Sequence, residues 1–276
     1  MIKDLIVNLT EGEGGDVAGS YAISIAETFA AHAAAIAFSY EPVIPPTIMG
    51  GIPASFIEEQ LSENEKAARD AVTRFDAAAK RAGISYESHV FEASITGAAD
   101  RFGAMARRFD LSVIAQAEPE KLAPEEIIIE GALFGSGRPI VVVPYIQKGG
   151  LTLERVMVAW DAGRNAARAI ADALPFLAKA KAIDVVIVAS ERPKSDEVPG
   201  ADIGQHLARH GLKVDVKRIV ATDTEIADTL LSHAADTGAD FMVMGGYGHS
   251  RLREFVLGGA TRGVLSSMTI PVLMSH

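Results

Sequence analysis

The chain repeats itself at about half its length, and that repeat limits the fold more than any other feature. Residues 4–9 (DLIVNL) correspond to 155–160 (RVMVAW), residues 110–115 (DLSVIA) to 240–245 (DFMVMG), and residues 138–143 (RPIVVV) to 270–274 (IPVLM). A period this long points to two copies of one supersecondary plan, and 276 residues are comfortable for two domains. Each half reads β-α-β-α-β-α-β-α-β. In the second half the strands fall at 154–160, 183–190, 213–220, 240–245 and 271–274, with helices at 163–179, 199–210, 223–237 and 259–267. The strands are continuous Val, Ile and Met runs, as expected for parallel strands covered on both faces. Strands alternating with helices imply an α/β fold with a parallel sheet and right-handed crossovers.

Residues 222–225 (TDTE) read as a capping box opening the third helix of that half. The expected domains are 1–146 and 152–276, joined by a short linker at 145–150 (YIQKGG). The first half carries an additional Pro- and Gly-rich loop at 41–53, ahead of a long helix expected at 55–82.

Charge separates the halves. Residues 1–150 hold 12 Lys and Arg against 21 Asp and Glu, a net of −9; residues 151–276 hold 14 against 15, a net of −1. The first half is therefore a poor host for an anion. The overall net charge of −10 argues against nucleic acid as a partner. Without cysteine there is no disulfide, thiolate metal site or cysteine nucleophile. No run approaches the roughly 20 apolar residues of a membrane span, and the N-terminus carries no secretory pattern. A cytoplasmic protein with no membrane partner is the expectation.

The segment that carries chemistry runs from Gly245 to Thr261. It leaves a buried strand, passes Gly248, His249 and Arg251, and enters a helix at Gly258, Gly259, Ala260 and Thr261. Gly245 and Gly248 permit positive φ and close backbone approach. The free N–H groups of a helix N-terminus favour an anion. In an open parallel sheet, ligands sit beyond the carboxyl ends of the strands where strand order reverses. If the first and fourth strands of this half flank that point, Asp161 faces the glycine loop. Its carboxylate can accept hydrogen bonds from ribose hydroxyls or an adenine amine. On the residues alone two readings stay open: a phosphate cradle, or turn glycines beside solvated arginines. No Walker Gly-Lys-Ser/Thr occurs.

The spacing Gly245-x2-Gly248-x9-Gly258, after a strand ending in Asp-x-Met-Val-Met-Gly, resembles the signature of the ATP-binding universal stress proteins. The resemblance extends to both halves, so the chain is similar to a tandem universal stress protein. It implies two open five-stranded parallel sheets, each with strand order 3-2-1-4-5 and helices on both faces, like the adenine-nucleotide alpha-hydrolases. It also implies ATP or AMP, with or without Mg2+, held by Asp161 and the glycine loop. By position, Ala159 and Trp160 would line the adenine side, with Ser190 at the end of the second strand. Dimerisation through the last strand is common in the family. Strands 139–143 and 271–274 are therefore expected to run antiparallel, giving an intrachain pseudo-dimer, and a homodimer is a further expectation. In one departure, Gly259 stands where the family usually has Ser or Thr; Thr261 matches the second hydroxyl position. The first half departs further. Thr10 stands in place of Asp161, residues 115–118 (AQAE) replace the glycines, and Glu118, Glu120, Glu125 and Glu126 follow. Acids there repel phosphate.

The remaining candidates read as structure. Residues 12–15 (GEGG) lack the third glycine of a dinucleotide loop, and Gly135 to Gly137 form a helix stop. His206 and His210 share a helix face without a third ligand, so no metal site is expected. Ser190 and Ser250 have no paired His and Asp, and no catalytic residue is assigned. The reading is a stress-response binding or signalling module that takes an adenine nucleotide in its C-terminal domain. Two other classes compete: a slow ATPase or nucleotide-cleaving enzyme using the same pocket, and a structural dimerisation module that binds nothing.

Overall fold

The structure, a computed structural model, describes residues 1–10, 16–42, 53–118, 124–189, 200–221, 225–247 and 259–276. The chain divides into two compact units, Met1–Arg138 and Pro139–His276.

The first unit holds strands β1 (Asp4–Asn8), β2 (His32–Tyr40), β3 (Ser85–Ala93) and β4 (Leu111–Ala115), with helices α1 (Val17–Phe29), α2 (Ala54–Ala82), α3 (Ile95–Ala106) and α4 (Glu125–Gly135). The strands are parallel, in the order β3-β2-β1-β4. β4, β1 from Leu5 onward and the middle of β2 are buried, because mostly apolar side chains leave on both faces of the strand. Helix ends follow local chemistry. Asp16 caps α1 by accepting the Gly19 N–H at 2.8 Å, and α2 stops at Gly83, which takes φ 72°. The buried residues of α2 are Ala68, Ala71, Phe75 and Ala79. Its first turns are anchored by Asn64, whose Nδ2 donates to the Tyr40 carbonyl at 2.7 Å. Helices α3 and α4 approach closely at two glycines. A Cβ on Gly103 would collide with the Gly131 carbonyl oxygen, and one on Gly131 would lie 2.7 Å from the Ala99 oxygen.

The second unit begins with β5 (Ile140–Val143), followed by β6 (Arg155–Ala159), α5 (Arg164–Leu177), β7 (Ala182–Ala189), α6 (Ala201–Arg209), β8 (Asp215–Val220), α7 (Ile226–Thr237), β9 (Phe241–Gly245), α8 (Gly259–Ser267) and β10 (Val272–Ser275). Its strand order is β5-β10-β9-β6-β7-β8. β5 is antiparallel to β10, in the register Val272↔Val142, Leu273↔Val141 and Met274↔Ile140; the other pairs are parallel. The strands therefore do not separate into two sheets of five. β5, the last strand of the first repeat, packs with the second unit because its edge is hydrogen-bonded by β10. The capping expectation is also corrected. α7 starts at Ile226 with Glu225 as its N-cap, and residues 222–224 lie outside the described residues.

One charged cluster lies inside this unit. Asp184 on β7 is 1% exposed, and its Oδ2 accepts from Arg155 on β6 at 3.0 Å and from Lys217 on β8 at 2.8 Å. Burial pushes its carboxyl up, but the two cations outweigh that and hold it below the usual carboxylate range. Among the described residues, no helix is long and apolar enough to cross a membrane.

Candidate functional site at the β6–β9 switch point

In the second unit, β6 pairs with β7 on one side and with β9 on the other. β6 leads through α5 to β7, whereas β9 leads through α8 to β10, so the chain turns opposite ways from two neighbouring strands. Their carboxyl ends flank a crevice of the kind that holds ligands in open α/β sheets. The β6–β9 ladder ends at Val158↔Val243. Beyond it come Ala159, Trp160 and Asp161 on one side and Met244, Gly245 and Gly246 on the other.

On the β6 side, Ala159 and Trp160 are half-buried. The Trp160 N–H donates to the Val186 carbonyl at 2.9 Å, which fixes the backbone as it leaves the strand. Asp161 is exposed, and its Oδ1 accepts the Gly163 N–H at 2.7 Å. This turn places Ala162 in the left-handed region at φ 60° and delivers the chain into α5. A Cβ on Gly163 would lie 2.8 Å from Asp161 Oδ1, so the bare glycine keeps the carboxylate in place.

On the β9 side the expectation for Gly245 is corrected. Gly245 is not among the positive-φ residues; Tyr247 is, at φ 51°. The side chain missing at Gly245 makes room for α5, since a Cβ there would lie 2.6 Å from Ala166 N and 2.7 Å from the Asn165 carbonyl carbon. Three further bonds hold the start of the loop. The Gly246 N–H donates to the Ser275 carbonyl at 2.9 Å. Asn165, 4% exposed, donates from Nδ2 to the Gly246 carbonyl at 2.6 Å. The Tyr247 N–H donates to Thr261 Oγ1 at 3.0 Å. Thr261 thus bonds to the loop itself and retains its hydroxyl proton for a second partner. Gly259 and Ala260 open α8, and among the described residues a Cβ on Gly259 would meet nothing within 4 Å. Ser190, Gly248, His249, Arg251 and Gly258 lie outside the described residues, as do residues 12–15 and Ser250.

The corresponding place in the first unit is built differently. Thr10 Oγ1 lies 3.4 Å from Asp16 Oδ1 and belongs to the α1 cap. Burial pushes the Asp16 carboxyl up to about 6. Glu118 is exposed, and the following residues 119–123 lie outside the described set. His206 and His210 are both exposed on the α6 face, with ring centroids 4.8 Å apart. No group of three or more metal-ligating side chains occurs among the described residues.

Sequence reasoning missed Asn165 and the Asp184 cluster. A polar residue in the first turn of a helix is unremarkable in a linear pattern, and its partner Gly246 lies 81 residues away. The charge of Asp184 inside the apolar run 182–189 was the one visible signal of the cluster.

The second unit is thus an open α/β sheet with a switch-point crevice, the place where ligands sit in such sheets when they bind one. Residues 152–276 match the model of the universal stress protein family. A universal stress protein from Synechocystis is 29% identical over 142 residues, which is 49% of this chain and 46% of the relative; the match spans about half the length of each. Among solved structures, a universal stress protein from Archaeoglobus fulgidus superposes with a TM-score of 0.71 at 16% identity, over 99% of this chain and 97% of the other. A functionally unknown protein from Pseudomonas aeruginosa gives a TM-score of 0.62 at 14% identity, over 99% and 92%. At those identities the two structures speak to the fold. The similarity to the universal stress protein family is carried by residues 152–276, the C-terminal half of the chain.

Proposed function

We propose that the chain is a tandem universal stress protein with domains at 1–146 and 152–276. It binds an adenine nucleotide, ATP or AMP, in the C-terminal domain and serves as a stress-response binding or signalling module. The observation that carries this reading is the β6–β9 switch point, where exposed Asp161 follows one strand and the Gly245–Gly246 turn follows its neighbour. Asp161, with Ala159 and Trp160, would take ribose and adenine. Gly248, Gly258 and Gly259, together with Ala260 and Thr261 at the start of α8, would take phosphates through backbone N–H groups. His249 and Arg251 would add charge, and Ser190 would close the adenine side. In the first domain, the cap formed by Thr10 and Asp16 and the acidic surroundings argue for a degenerate site. The antiparallel β5–β10 pair supports the reading of the two repeats as an intrachain pseudo-dimer.

A second reading has an observation of its own. The glycine at 245 and the hydroxyl at 261 are both used by internal packing, as a purely structural module would use them. One experiment separates the two: thermal shift with and without ATP on the parent, Gly248→Val and Gly259→Ser. The parent is expected to be stabilised by ATP. Gly248→Val should lose that shift, because a β-branched side chain in the cradle blocks close approach of phosphate. Gly259→Ser should bind about tenfold tighter through one added hydrogen bond to a charged group; the open space at that position leaves room for the hydroxyl. A Gly248→Val protein that keeps the parent's shift would make the glycine loop a turn and favour the structural module.

A further inference from the structure

The proposed site has two arms, one on each neighbouring strand, and a single buried side chain joins them. Asn165 sits in the first turn of α5, four residues after Asp161, so its backbone continues the arm assigned to ribose and adenine. Its side chain crosses to the other arm and donates to the Gly246 carbonyl at 2.6 Å. The second N–H of the amide is 2.9 Å from His276 Nδ1, which accepts it in the tautomer protonated on Nε2. In that tautomer His276 Nδ1, 3.1 Å from the Gly246 oxygen, is an acceptor beside an acceptor, and the Asn165 amide, donating to both, holds the two together under the loop. The α5 backbone at Asn165 and Ala166 also packs against Gly245. The carbonyl of Gly246 is thereby turned inward. The next residue, Tyr247, takes φ 51° and bonds through its N–H to Thr261. Both ends of the connection from β9 to α8 are tied at this point.

Resting on the nucleotide reading above, we infer that Asn165 is a positioning residue that sets the phosphate-binding arm relative to the nucleoside-binding arm. It acts through Gly246 and touches no ligand. Without the Asn165 donor the peptide plane at 246–247 loses its tie on the carbonyl side and keeps the Tyr247 N–H bond to Thr261 on the other, so it can tilt, and a backbone cradle works only while its N–H groups converge. The nucleoside arm does not depend on that bond, since Trp160 is tied to Val186 and Asp161 to Gly163. The consequence is specific. Losing the Asn165 donor weakens the part of the affinity that phosphates contribute and spares the part contributed by the nucleoside.

The test is calorimetry of ATP and of adenosine on the full chain and on Asn165→Asp, a near-isosteric change that sets a carboxylate oxygen against the Gly246 carbonyl. The parent is expected to bind ATP more tightly than adenosine. The variant should lose about tenfold in ATP affinity, the scale of one hydrogen bond to an aligned carbonyl, with adenosine affinity changed by no more than about twofold. Melting without ligand checks folding; should Asn165→Asp fail to fold, Asn165→Ser, which is too short to reach Gly246, carries the same expectation. Equal losses for both ligands would mean a general structural role and would overturn the inference, as would unchanged ATP binding. A parent that binds both ligands alike would overturn it too, because no phosphate contribution would then exist to lose. A parent that binds neither ligand overturns the nucleotide reading itself.

Discussion

Gly245→Val is expected to lower the melting temperature on the order of 10 °C, from a loss of about 3 kcal/mol. The cause is steric and involves backbone. A single Cβ at 245 meets Ala166 N at 2.6 Å and the Asn165 carbonyl carbon at 2.7 Å. Neither atom can swing aside as the end of a flexible side chain would. Helix α5 has to lift from β9, and its buried face (Ala166, Ala169, Ile170, Ala173, Phe176 and Leu177) loses contact with it. Phe176, stacked on Phe241 with ring centroids 5.1 Å apart, is among the contacts disturbed. Calorimetric melting of the variant beside Gly259→Ser provides the comparison, because a Cβ at the second glycine meets nothing within 4 Å among the described residues and its replacement should leave the ligand-free melting point within about 1 °C of the parent. A parent-like melting point for Gly245→Val would mean that α5 and β9 are farther apart than described.

The second large effect is expected at Asp184. Asp184→Asn keeps the shape of the side chain and removes the negative charge between Arg155 and Lys217. Breaking a fully buried pair costs about 3–5 kcal/mol. Here the two cations retain 35% and 36% of their side-chain exposure, so solvent screens them and the loss should sit near the lower figure. The sign of the pH dependence follows from the depressed carboxyl. Its contribution is fully present above the unfolded pKa of about 3.9 and is lost as pH falls through the lower folded value. Denaturant unfolding of both proteins across acidic pH should therefore show a wide gap at neutral pH that closes below about pH 4. A gap constant with pH would assign the loss to packing.

Much of the fold was legible in the chain because buried parallel strands leave an unmistakable mark. The runs at 113–115, 140–143, 156–158 and 241–244 are apolar without alternation, and all are buried. The exposed edge strand β3 alternates, as a half-covered strand must. What the linear pattern could not convey was which neighbour each strand chooses. The pairing of 139–143 with 271–274 was expected from the family resemblance and the edge position of both strands, not from the apolar pattern, and β5 does run antiparallel to β10. The candidate site was legible to a similar degree. Asp161 and Gly245 could be assigned to neighbouring strands from the repeat. The positive φ expected of Gly245 was misplaced, because a glycine needed for close helix packing and one needed for a left-handed turn look the same in sequence. Asn165 was invisible for a related reason: its meaning lies in a carbonyl group that any residue at 246 would supply.

Helix α2 is a cantilever. Its buried residues begin at Ala68, while the helix itself begins at Ala54. The fourteen residues before that point span roughly 20 Å at 1.5 Å per residue. Among the described residues, the arm's side-chain hydrogen bonds are that of Asn64 to Tyr40 and pairs within the helix such as Gln60 with Glu63. Such an arm opens without disturbing the core. Amide hydrogen exchange should accordingly run as a gradient along one continuous helix, fast from 54 to 63 and slow from 68 to 82, with the step at Asn64; uniform protection would mean that another surface clamps the arm. Cleavage by a protease should follow the same gradient, so the first chain break in this helix falls on its N-terminal side while the Ala71–Phe75–Ala79 stripe still holds the sheet.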